Sequence, residues 1–166
     1  MNAKPMLLTL GLYLLTMTLA AFAPKASWFE AHTTGAKTLT LHGAAEFGPG
    51  AGTPAEAPFV LTLGAESPTG AVVFTRPNGR RPGPGVYPLD TDGRATIHAL
   101  VVTGSPTHPT GAFQARRGTL TITRSREDHL EGRFDIDAVG FEAATPDDEG
   151  RELVVRGAFT ASSSAR

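Results

Sequence analysis

The sequence has 166 residues, 40% of them hydrophobic and 19% charged, with 19 glycines, 13 prolines and no cysteine. This length fits one ordinary domain, and the lack of cysteine excludes a disulfide framework, a thiolate metal site, a cysteine nucleophile and a lipidated N-terminal cysteine. A net charge of −1 and 7% aromatic residues argue against a dedicated nucleic-acid binder, which needs a strong positive field and stacking surfaces.

The first element is an export signal. Lys4 is followed by an uncharged apolar run from Met6 to Ala23 with small residues at Leu19-Ala20-Ala21 and Ala21-Phe22-Ala23, the marks of a secretory signal peptide. Pro24 would hinder cutting after Ala23, so cleavage is expected after Ala20 or Ala21 and the signal covers residues 1–21. The alternative is an uncleaved anchor over residues 6–23, since about 18 apolar residues just span a bilayer. Either way the remaining chain is expected outside the cytoplasm, secreted or periplasmic, touching the membrane only through this segment if it is retained.

Residues 22–35 read as a linker, residues 36–161 as a single β domain and residues 162–166 as a disordered tail. Within the domain the apolar period is two. Leu39, Leu41, Gly43, Ala45 and Phe47 alternate with polar or small residues, as do Phe59, Leu61 and Leu63. Leu120 and Ile122 alternate with threonines, Phe134, Ile136 and Ala138 with charges, and Leu153, Val155, Gly157 and Phe159 complete the set. This is the signature of half-buried strands. Ala95–Thr103 is apolar on both phases around Ala99–Val102 and reads as a central strand, or one covered on both sides. Breakers at Gly48–Pro58, Arg76–Gly85, Gly104–Gly111 and Thr145–Gly150 separate the runs. Pro77-Asn78-Gly79 and Asp92-Gly93 supply residues suited to hairpin turns. The fold class is therefore all-β, an antiparallel β-sandwich or small closed barrel behind an N-terminal hydrophobic helix. An outer-membrane barrel is excluded by too few long strands, one Trp, two Tyr and proline-bearing turns.

One hairpin is specified to its register. If Leu120 and Ile122 share a core with Phe134 and Ile136, Ile122 pairs with Phe134, Thr121 faces Asp135 and Glu127-Asp128-His129 form the loop. A two-residue loop would set Ile122 against Arg133. Phe141 falls out of step with Phe134, which predicts a β-bulge at Val139-Gly140, and a similar slip is expected at Arg117-Gly118. Gly-x-Phe recurs at Gly111/Phe113, Gly132/Phe134 and Gly157/Phe159; each ring can cover its own glycine or a neighbouring strand's, a packing device without chemistry.

The runs Gly118-Thr119-Leu120-Thr121-Ile122-Thr123, Gly132-Arg133-Phe134-Asp135-Ile136-Asp137-Ala138 and Val155-Arg156-Gly157-Ala158-Phe159 resemble a pattern in short exported bacterial proteins. Those proteins are often predicted lipoproteins and as a group have no assigned activity. Gly85-Val86-Tyr87-Pro88-Leu89 is similar to a Gly-x-Tyr-x-Leu stretch that often precedes the pattern. The resemblance covers roughly the C-terminal half. It implies a cell-envelope compartment and an all-β fold, and it carries over no catalytic residues. This chain departs from the pattern in lacking the lipobox cysteine and hence the lipid anchor.

No residue pattern points to a catalytic, cofactor or metal site. His32, His42, His98, His108 and His129 show no ligand spacing and read as surface or edge residues. Asp90-Thr91-Asp92-Gly93 has Pro88 and Ala99 where a calcium loop needs acids, and reads as an Asp-capped turn. Asp147-Asp148-Glu149 reads as a solvated acidic turn. Asp135 and Asp137 share a face with Arg133 and, across the hairpin, with Thr119, Thr121 and Thr123, the ordinary wet side of a sheet. Gly48-Pro49-Gly50-Ala51-Gly52 is a linker.

Charge placement is the most distinctive feature. Eight arginines (76, 80, 81, 94, 116, 117, 124 and 126) face only Asp90 and Asp92 between residues 76 and 126, a balance of +6. From Glu127 to Glu152 the balance is −8. A two-faced surface would steer a polyanionic envelope glycan, but the two blocks meet in one hairpin and are expected to neutralise each other there. The sequence thus reads as an exported non-enzymatic β domain, a binding or structural component of the cell envelope with an unknown envelope component or glycan as partner. In this reading the Arg76–Gly85 loop supplies contacts. An envelope hydrolase with a site invisible to motifs is the alternative.

Overall fold

The computed structural model describes residues 26–53, 55–64, 66–90, 95–105, 107–143 and 150–164. The expected signal segment, Asp92-Gly93 and Asp147-Asp148-Glu149 lie outside them. The described residues form ten strands and no helix: β1 Trp28–Gly35, β2 Leu39–Gly43, β3 Ala45–Pro49, β4 Phe59–Leu63, β5 Gly70–Arg76, β6 Gly85–Pro88, β7 His98–Ser105, β8 His108–Ser125, β9 His129–Glu142 and β10 Arg151–Ser163. The all-β class follows from the alternation, since a period of two puts one apolar face inward along each strand.

The strands make one large, almost wholly antiparallel sheet. Among the described residues β2 pairs only with β1, and a second run of neighbours goes β3, β4, β5, β7, β8, β9 and β10. β10 carries β1 on its other edge. Its last two paired residues, Ser162 and Ser163, lie parallel to Glu46 and Phe47 of β3, and the Ser164 N–H donates to the Phe47 carbonyl at 2.8 Å. β6 continues the edge of β8 where β7 leaves off. The inward phase buries Leu41, Phe47, Leu61, Phe74, Phe113, Leu120, Ile136 and Val155 in one core. Burying each such large side chain is worth about 1.5–3 kcal/mol. Phe74 packs edge-on to Phe134 with centroids 5.5 Å apart.

The β8–β9 hairpin differs from the expected register, and a bulge is the reason. Leu120 pairs with Phe134 and Ile122 with Gly132, so Thr121 faces Arg133 and Thr119 faces Asp135. The register then shifts by one between Ile122 and Arg124. Thr123 is the extra residue, and its hydroxyl donates to the Glu131 carbonyl at 3.1 Å. Beyond the bulge Arg126 and His129 exchange backbone hydrogen bonds, leaving a two-residue loop, Glu127-Asp128. Parity across the strands forbids that loop only if the register is constant; the bulge restores the core phase below it.

The second slip lies between Ala115 and Arg117, one residue before the expected place, with Arg116 as the extra residue. At Val139-Gly140 the pairing is regular on both sides. Phe141 is out of step simply because it points outward, 47% exposed. Gly140 is required there for another reason: a Cβ on it would collide with the Ala112 carbonyl of β8.

Three further expectations are corrected. Residues 28–35 are not linker but strand β1, joined to β2 and β10. Its buried phase, Phe29, Ala31 and Thr33, is small and partly polar, which weakens the apolar signal. Ser162 and Ser163 belong to β10 rather than to a frayed tail. Pro77-Asn78-Gly79 does make a tight turn, with Gly79 at φ 67° and the Asn78 Oδ1 accepting from the Arg80 N–H at 3.1 Å. Yet it joins no hairpin, because β5 pairs with β7 and β6 with β8.

The Gly-x-Phe repeats act between strands. Gly157 pairs with Phe134 and Gly132 with Phe159, and a Cβ on either glycine would meet the opposing ring at 2.7 or 2.8 Å. Each ring of the β9–β10 pair therefore fills its neighbour's glycine gap.

Candidate functional site

The long strands β8, β9 and β10, with β1 beside them, carry the polar phase outward in rows fixed by register. One row is Glu30, Ala158, Arg133 and Thr121; the next is His32, Arg156, Asp135 and Thr119. Beyond these lie Val154, Asp137 and Arg117. At the opposite end Trp28 pairs with Thr160, which pairs with Glu131.

Three concavities follow one another along this face. The first, about 380 Å³, is lined by Trp28, Thr123, Glu131, Arg133 and Ala158. The second, about 430 Å³, shares Arg133 and adds Thr119, Thr121, Asp135 and Arg156. The third, about 490 Å³, lies at the β8 bulge among Arg116, Arg117, Asp137, Glu152 and Val154. Together they make a shallow groove over β9. From Glu131 to Val139 it covers eight residue steps, about 27 Å at strand rise. Its floor is low where Ala158 stands beside Arg133.

The electrostatics of the groove are mostly paired. The Arg156 Nε donates to Asp135 Oδ2 at 2.9 Å and Arg117 reaches Asp137 at 3.3 Å. Arg124 and His129 both meet Glu131 Oε1, at 3.2 and 2.8 Å. The Asp135 and Asp137 side chains are 51% and 43% exposed, so neither is desolvated as an acid–base catalyst requires. Arg133 differs. It is exposed and makes no hydrogen bond or ion pair among the described residues.

The residues singled out from the sequence fall as follows. Arg133, Asp135, Thr119, Thr121 and Thr123 do share one outer face, while Asp137 lies farther along it. The acidic and basic blocks meet as expected, through Arg117–Asp137 and Arg124–Glu131. His42, His98 and His108 are exposed, and His32 lies between Thr40 and Glu30. His129 is the tightest of the five, 14% exposed against Glu131. No group of three or more metal-capable side chains converges among the described residues. The Asp90 carboxylate accepts from the Ala95 N–H at 3.1 Å.

The Arg76–Gly85 loop folds back on itself. Arg76 stacks over Tyr87, 5.7 Å from the ring centroid, and donates to the Arg80 carbonyl; the Tyr87 hydroxyl donates to the Gly83 carbonyl at 2.8 Å. Arg80 and Arg81 remain exposed. Ala95–Thr103 contributes the centrally placed β7, but its outer phase is open, with Leu100 37% exposed.

Trp28, Glu131 and Val154 are groove residues that no sequence pattern singles out; Trp28 is the most prominent of them. It is 45% exposed and stands on a strand whose buried phase carries little apolar signal. A large aromatic opposite Phe29 was the available clue. Compared with known families, curated proteins and solved structures, the chain matches none.

Proposed function

We propose that this chain is a non-enzymatic β domain exported to the cell envelope, folded as a small closed barrel, that binds an envelope component across the outer face of β9. The observation that carries the binding reading is the groove itself: three consecutive concavities holding an exposed tryptophan and an arginine with no partner among the described residues. Aromatic and arginine side chains are enriched at recognition surfaces, where the ring packs on the ligand and the guanidinium pairs with it. Closure is supported by the parallel contact of β10 with β3, which returns the ladder to its start. Export is supported by Lys4 and the uncharged run behind it, and an envelope setting by the resemblance of the β8, β9 and β10 sequences to exported bacterial proteins. The non-enzymatic reading rests on carboxylates tied to arginines in open solvent, an arrangement suited to holding a ligand rather than moving protons.

Thermal unfolding of the purified chain with a panel of envelope glycans and metal ions tests the reading. A ligand at a hundred times its Kd adds about 2.7 kcal/mol, so one ligand class is expected to raise Tm by several degrees. A flat panel would contradict binding and leave a scaffold.

A further inference from the structure

We infer that the end of the groove between Trp28 and Arg133 is a subsite for a sugar bearing an anionic group, so that the ligand is an acidic glycan. The inference rests on the proposed binding face and narrows its ligand. Trp28 and Arg133 stand two strands apart and two residues out of line, about 12 Å, across a cavity of about 380 Å³ that also holds Ala158, Thr123 and Glu131. Ala158 leaves the space between them open, so a ring can lie flat against the exposed indole. Sugar rings present C–H faces that pack on such a surface, and their hydroxyls match the Thr123 hydroxyl and the Glu131 carboxylate.

The charge comes from Arg133. The other arginines beside it are engaged, Arg156 with Asp135 and Arg124 with Glu131, whereas Arg133 has no partner among the described residues. A planar guanidinium fork takes a carboxylate or sulfate bidentately. Of the nearby carboxylates, Glu131 is paired with Arg124 and Asp135 with Arg156, while Glu30 lies 3.3 Å from the His32 ring. Glu152, which has no described cation partner, lines the far concavity with Arg116, away from Trp28. Arg133 is therefore the guanidinium on this stretch of the face left open to an anion among the described residues.

Trp28 is the only tryptophan in the chain, so its emission reports this subsite directly. The purified chain is titrated with an oligouronate, with the same oligomer methyl-esterified, and with a sulfated oligosaccharide. The two acidic ligands are expected to shift the emission, and the neutral ester to bind about ten-fold more weakly or worse, the range for losing a charge-assisted hydrogen bond. Arg133→Gln is expected to abolish that preference without changing Tm, and rising salt to weaken only the acidic ligands. Equal affinity for ester and acid, or a preference that survives Arg133→Gln, overturns the acidic-sugar assignment while leaving the binding face intact. No change in emission or in Tm with any glycan overturns both.

Discussion

Replacing Gly157 by alanine reverses the usual sign of a glycine-to-alanine change. In a strand the added methyl ordinarily stabilises by about 0.4–1 kcal/mol, because it restricts the unfolded chain. At Gly157 the new Cβ would sit 2.5 Å from the Glu30 carbonyl oxygen of β1 and 2.7 Å from both the Ala31 Cβ and the Phe134 ring. Two of these neighbours are fixed by strand pairing, since Ala31 is Gly157's partner on β1 and Phe134 its partner on β9. The methyl must therefore push two ladders apart. Overpacking of this kind costs about 1–3 kcal/mol, which outweighs the entropy gain and leaves a net loss of about 1–2 kcal/mol. At this size each kcal/mol moves Tm by about 2–4 °C. Gly83 is the control: nothing lies within 4 Å of its would-be Cβ, so Gly83→Ala is expected to be neutral or slightly stabilising. Thermal unfolding followed by circular dichroism distinguishes the two. A Gly157→Ala variant as stable as the parent would refute the close approach of β1, β9 and β10 at this point.

Other substitutions separate core from surface. Phe134→Ala removes a ring that covers Gly157 and packs on Phe74, and urea unfolding is expected to show a loss of about 3–5 kcal/mol. Asp135→Asn breaks the pair with Arg156 in half-exposed surroundings and is expected to cost under about 1 kcal/mol. A larger loss would mean that the pair is less solvated than its exposure indicates. Ending the chain at Ala161 removes the Ser162 and Ser163 pairing with β3 and the Ser164 bond to Phe47. At about 0.5–1.5 kcal/mol per bond, a loss near 2–4 kcal/mol is expected, with faster amide exchange in β3; unchanged exchange there would contradict closure through this contact.

Most of the sheet was legible because its signal is local. Leu39 to Phe47, Phe59 to Leu63 and Leu153 to Phe159 alternate, and they form β2 and β3, β4, and β10 with that phase inward. What escaped was set by long-range partners. β1 has little apolar periodicity of its own and is held by pairing on both sides. The β8–β9 register depends on a bulge at Thr123, which no alternation announces because Thr121 and Thr123 look equally polar. The β10–β3 contact at Ser162 and Ser163 is made by backbone, to which side-chain pattern is blind. The same holds for the groove: Arg133, Asp135 and the threonines were readable as one face, but Trp28 joins them only through two intervening strand pairings.

The claim on which the functional account depends is that ligand binds over β9, and backbone amide shifts map this directly. Adding an oligouronate to the ¹⁵N-labelled chain is expected to move a contiguous set of resonances from Trp28, Ala158, Arg133 and Thr121 and to leave the Arg76–Gly85 loop still. Shifts gathered on that loop, or around Leu100 and Phe141, would place recognition elsewhere and contradict the account.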